Sequence, residues 1–119
     1  MPSIARITII AFGLTSFTAG IFTLYNPDQS LQLLDLPLAA LPASRANALA
    51  AVAMGIYYTL AAYQDNVAFF TCTVPMRLLT ATVFWAQGWY AASLWEGAGS
   101  ITTAIALGWD KTRMKRKDE

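Results

Sequence analysis

The chain has 119 residues, of which 56% are hydrophobic and 13% charged, with a formal net charge of +1 and a mean hydropathy of +0.45. A soluble domain this short cannot hide so much apolar surface, so the composition points to one integral membrane domain. There is no histidine and a single cysteine, Cys72, so an internal disulfide is excluded. Zinc, haem, Cys–His and Ser–His chemistry are set aside, no cofactor or metal is expected, and nothing in the charge balance calls for nucleic acid.

The first apolar segment runs over residues 4–24. As a helix it is about 31 Å long, enough to cross a bilayer. Arg6 lies inside it and no small-residue cleavage site follows a short apolar region, so it reads as a retained helix and not a secretory signal. Gly13, Ser16 and Gly20 give it a small-residue face that lets a neighbour approach closely.

Residues 25–44 form the one long connection. Asn26-Pro27 starts a helix, with Asn26 as N-cap. Leu31, Leu33, Leu34 and Leu36 among Asp28, Gln29, Gln32 and Asp35 mark a short helix lying in the membrane interface, broken up by Pro37 and Pro42.

The second segment, residues 45–63, follows Ser44 as a candidate N-cap. Its alanine-rich run through Gly55 makes a thin helix suited to close packing, and Tyr57, Tyr58 and Tyr63 crowd its second half. Gln64-Asp65-Asn66 is a short polar turn.

Residues 67–109 are a 43-residue run interrupted by only two charges, Arg77 and Glu96. That is about twice what one crossing needs. The preferred division is a third helix over 67–87 and a fourth over 90–109, with a tight turn at Gly88-Trp89. The alternative ends the third helix at Trp95 and leaves the fourth too short to span. Pro75 is expected to kink the third helix. Cys72 is expected to pack as a small hydrophobe. Thr73, Arg77, Thr80, Phe84 and Gln87 share one face of the third helix; Ser93, Glu96, Ser100 and Thr103 share one face of the fourth.

Residues 110–119 are a basic cytosolic tail holding five of the eight Lys and Arg residues. Lys115 and Lys117 stand five and three residues from the carboxyl end, the spacing of a dilysine endoplasmic-reticulum retrieval signal. Four crossings place both termini in the cytosol, which agrees with the positive-inside bias of Arg6 and the tail.

Two ionisable groups at membrane depth need a partner. Counted from the hairpin turn, Arg77 and Glu96 differ in depth by about 4 to 5 Å, within reach of an Arg side chain. The pair has two readings. One is an ion pair that fixes helix register. The other is a catalytic site with Glu96 as proton donor, Arg77 or Asp65 in support, and Tyr57, Tyr58, Phe84, Trp85, Trp89 and Tyr90 available to line a pocket.

Arg45 opening the second helix ahead of an Ala/Gly run, Arg77 in the third helix with a glycine about ten residues later, and Glu96 in the fourth together resemble the DoxX-like group of small membrane proteins. The long proline-containing first loop departs from that pattern. The resemblance implies a four-helix fold and no single activity.

The expectation is therefore an all-α, antiparallel four-helix transmembrane bundle in the endoplasmic reticulum, with short loops and one interfacial first loop. Its partners are the lipid bilayer and either membrane enzymes, a second copy, or a lipophilic small molecule. Two functions fit: an accessory protein for enzymes of lipid, isoprenoid or secondary-metabolite biosynthesis, and a cyclase or isomerase using Glu96 as general acid.

Overall fold

The computed structural model describes residues 3–119, and within them every regular element is helical. Helix α1 spans Ile4–Tyr25, α2 spans Pro27–Leu33, α3 spans Leu41–Tyr63, α4 spans Val67–Ala86 and α5 spans Tyr90–Asp118; a short 3₁₀ turn, Leu38–Ala40, leads into α3. Three stretches are long and apolar enough to cross a membrane: Ile4–Tyr25, Leu38–Tyr63 and Val67–Ala86. Large apolar side chains stand outward along them, among them Ile7, Leu14, Leu49, Ile56, Leu60 and Leu79, each at least half exposed. Apolar patches of that extent suit a lipid environment.

The chain forms two compact units. One comprises residues 11–60, the other residues 3–10 with 61–119.

In the 11–60 unit, α1 and α3 run antiparallel and nearly touch. Ser16 Oγ donates to the Ala51 carbonyl at 2.9 Å. A Cβ on Gly55 would stand 2.6 Å from the Gly13 carbonyl oxygen, and one on Gly20 would stand 2.7 Å from that of Ala48. These obstacles are backbone, which cannot move aside. The Gly13, Ser16 and Gly20 face is thus used within the chain. Phe12 and Tyr58 stack with ring centroids 5.3 Å apart. Helix α2 buries Ser30 and Leu31 and leaves Leu33 exposed, and Ser30 Oγ donates to Thr23 Oγ1 at 3.1 Å.

The other unit is built on the α4–α5 hairpin. Helix α4 stays helical through Pro75. The turn at residues 87–89 carries Gly88 at φ +84, and the Trp89 N–H reaches the Phe84 carbonyl at 2.9 Å. This left-handed closure is cheap only for glycine. The same closure ends α2 and α3 with aspartate in the left-handed position, Asp35 at φ 54 and Asp65 at φ 52. Backbone bonds from Leu36 to Leu31 and from Asn66 to Ala61 complete those ends.

Five expectations change. Helix α3 starts four residues early, because Pro42 sits in a first turn where its missing N–H is not needed. Ser44 is therefore buried inside the helix and is not its cap. Asn26 occupies the cap position of α2 without a side-chain bond, whereas Asn66 caps α4 by accepting from the Phe69 N–H at 3.0 Å. Cys72 is exposed, since the inward face of α4 is carried by Phe70, Thr73 and Arg77. Residues 110–118 continue α5, so the tail is a rod.

Candidate functional site

Helices α4 and α5 are zipped antiparallel along their polar faces. Ser93 Oγ donates to the Ala81 carbonyl at 2.6 Å, and Ser100 Oγ donates to the Val74 carbonyl at 2.8 Å. Between these two rungs, Arg77 Nε meets Glu96 Oε2 at 3.4 Å. The rungs set the register that the equal-depth argument requires. Beyond them, Thr103 Oγ1 and Thr8 Oγ1 share a hydrogen bond of 2.9 Å that ties the start of α1 to α5.

The pair is shielded. Arg77 is 3% exposed and the Glu96 side chain 13%. Both terminal nitrogens of the guanidinium are fully buried. A guanidinium taken out of water demands a counter-charge, and Glu96 supplies it. Space for it comes from Gly99, one helical turn after Glu96. A Cβ there would collide with Nη2 of Arg77. The glycines of Glu96-Gly97-Ala98-Gly99 are a signal that could have pointed to this close approach; in the alternative division, with the third helix ending at Trp95, the same four residues are a turn.

The other expected site residues lie elsewhere. Asp65 is at the α3–α4 turn, where Ser3 Oγ donates to its Oδ1 at 3.5 Å. Ten residues of α4 separate Val67 from Arg77, about 15 Å of helix, so Asp65 does not join the pair. Phe84 packs against Trp89 with centroids 5.4 Å apart, and Trp85 against Tyr90 at 4.6 Å. These rings gather at the hairpin turn, seven or more residues along α4 from Arg77. Tyr57 and Tyr58 belong to the 11–60 unit, the first exposed and the second buried on Phe12. Lys115 and Lys117 are exposed on the end of α5.

A second cluster escaped the sequence reading. The Asp110 carboxylate accepts from the Ile4 N–H at 3.2 Å and the Ala5 N–H at 3.0 Å. Ser3 Oγ accepts from the Arg6 N–H at 3.1 Å. The Ile4 and Ala5 amides are thus satisfied from α5, over a hundred residues away, where no local pattern points, and the Arg6 amide by Ser3 close by. The α1 start, the α3–α4 turn and Asp110 consequently lie at one end of this unit.

The 11–60 unit bears an open groove of about 460 Å³ lined by Leu14, Thr15, Thr18, Ala19 and Phe22, which offers no ionisable group. Among the described residues no cluster of His, Cys, Asp and Glu could hold a metal. Comparison of the chain with family models, characterised proteins and solved structures finds no match.

Proposed function

We propose that the protein is a four-crossing antiparallel membrane bundle of the endoplasmic reticulum. In this reading it is a non-catalytic accessory protein for enzymes of lipid, isoprenoid or secondary-metabolite biosynthesis, and fold kinship with the DoxX-like group is part of the proposal. The observation that carries the non-catalytic reading is the engagement of Glu96. Its carboxylate meets an Arg77 that is wedged against Gly99 between two side-chain-to-backbone rungs. A general acid must present its proton to substrate. Here the ionisable pair is built into the seam between two helices.

Helix α5 supplies the fourth crossing in this reading. It falls below the hydropathy of the three apolar stretches because it carries Ser93, Glu96, Ser100 and Thr103. Those groups face inward: Ser100 and Thr103 are fully buried, and Ser93 is 6% exposed. Its outward residues Leu94, Ile101 and Ile105 are apolar. The start of α1 and Asp110 meet at one end, which supports both termini on one side, and Arg6 with the five cations of the α5 extension favours the cytosol.

The test is Glu96→Gln in cells lacking the native protein. At normal protein level, lipid composition is expected to match wild type. Cross-linking in intact membranes is expected to recover the same membrane enzymes with both proteins. Loss of a lipid conversion with protein level and thermal unfolding unchanged would establish the opposite reading, a cyclase or isomerase with Glu96 as acid.

A further inference from the structure

From the rod that continues α5 past Trp109, we infer that the protein carries a docking surface for an anionic membrane, in which the headgroups of acidic phospholipids engage Lys111 and Arg6 first and Lys115, Arg116 and Lys117 behind them. The inference rests on the reading of α5 as a membrane crossing.

Helicity is what makes the surface. Residues 110–118 are helical, so the cations rise by about 1.5 Å per residue. Trp109 is 58% exposed and belongs to the residue type that settles at the membrane–water boundary. Measured from it, Lys111 stands about 3 Å up the axis, Arg113 about 6 Å, and Lys115 to Lys117 about 9 to 12 Å. The headgroup layer on each side of a bilayer is about 5 to 7 Å deep, and the screening length in physiological salt is about 8 Å. Lys111 and Arg113 therefore fall inside the headgroup layer, and the outer three cations within or near one screening length of it. An extended tail would carry Lys117 about 26 Å away, where screening removes most of its attraction.

The α1 start adds to this layer. Asp110 holds the Ile4 and Ala5 amides, which brings Arg6, on the first turn of α1, to the foot of the rod. The same bonds hold the Asp110 carboxylate, which keeps its charge, against the start of α1. Asp65 at this end interacts with Ser3. Asp118 and Glu119 lie at the far tip, beyond the cations. Asp110 and Asp65 lie at the level of Lys111, and Arg6, Lys111, Arg113, Lys115, Arg116 and Lys117 outnumber them, so the charge next to the lipid is positive in balance.

The experiment places the full-length protein in nanodiscs of phosphatidylcholine alone or with one quarter phosphatidylserine. Acetylation of each lysine is then read by mass spectrometry. The expected result is Lys111 modified about five-fold more slowly in the acidic discs, as follows from the attraction of one lysine to an anionic surface. Lys115 and Lys117 should be protected less, and 0.5 M salt should abolish the difference, a salt level chosen on the order of several times physiological. Equal lysine reactivity in the two lipids overturns the inference. So does equal protection by inorganic phosphate added to phosphatidylcholine discs, which would mark a free-anion site. Protein that fails to enter either disc overturns the membrane reading beneath it, an outcome separate from the other two.

Discussion

Gly99 on α5 leaves the space that the Arg77 guanidinium of α4 occupies, and a single methyl group at position 99 would collide with Nη2. The guanidinium is the far end of a long side chain, but this one is buried and held at Glu96, so it has little room to retreat. Gly99→Ala is expected to lower stability by about 1 to 3 kcal/mol, the usual cost of overpacking. Thermal unfolding in detergent measures it. Adding Arg77→Met together with Glu96→Leu should recover most of the loss, because the obstacle and its counter-charge are then removed together.

The ion pair itself should respond asymmetrically. Glu96→Ala leaves a buried guanidinium without its counter-charge and is expected to cost about 3 to 5 kcal/mol. The double change Arg77→Met with Glu96→Leu replaces both charges by apolar groups of similar volume and is expected to fall within about 1 kcal/mol of wild type or above it. If the double variant were as unstable as the single one, the pair would not be a closed structural unit.

Asp110→Ala removes the acceptor for two amides at the start of α1. A lost helix cap typically costs about 0.5 to 2 kcal/mol. The distinctive readout is hydrogen exchange: the Ile4 and Ala5 amides should exchange faster, while those near Glu96 keep their protection. Uniformly faster exchange along the chain would assign Asp110 a global role instead.

The α1–α3 contact should tolerate no side chain at Gly55, where the Gly13 carbonyl and Phe17 stand in the way. Gly55→Ala is expected to destabilise by about 1 to 3 kcal/mol. Gly108→Ala is the matched control, because nothing lies within 4 Å of a Cβ at that position. It should leave unfolding unchanged, or raise it slightly through better helix propensity.

Fusing a bulky tag after Glu119 tests the address. Lys115 and Lys117 work as a retrieval signal only near a free cytosolic carboxyl end. The tagged protein is expected to leave the endoplasmic reticulum in fractionation or imaging. Unchanged location would remove the retrieval reading and leave the lysines to the lipid surface alone.

Much of the site was legible because it obeys helical spacing. Arg77 and Glu96 were found as misplaced charges, and the short turn at Gly88 brought them to similar depth by counting residues. The aspartate-terminated ends of α2 and α3 were harder to read. The polar turn at Gln64-Asp65-Asn66 was legible, but Asp35 and Asp65 adopt the left-handed conformation that glycine usually marks, and nothing in the sequence announced that conformation. A fourth crossing was expected from apolar length, whereas α5 is the least apolar of the long helices and is not among the three stretches apolar enough to cross. Its polar residues count against it in a hydropathy window although they are buried.

The sequence by itself determined the helical, lipid-compatible character of the chain, its hairpin turn and the similar depth of Arg77 and Glu96, and the fold decided that the two meet. The properties set by sequence follow from composition and from a fixed rise per residue along a helix. Only the tertiary structure decided that Gly99 houses the guanidinium, that Asp110 caps α1, and that Gly13, Ser16 and Gly20 face α3 within the same chain. Each of these joins a side chain or a bare backbone to a partner set by packing between helices, which the periodicity of a single helix does not encode.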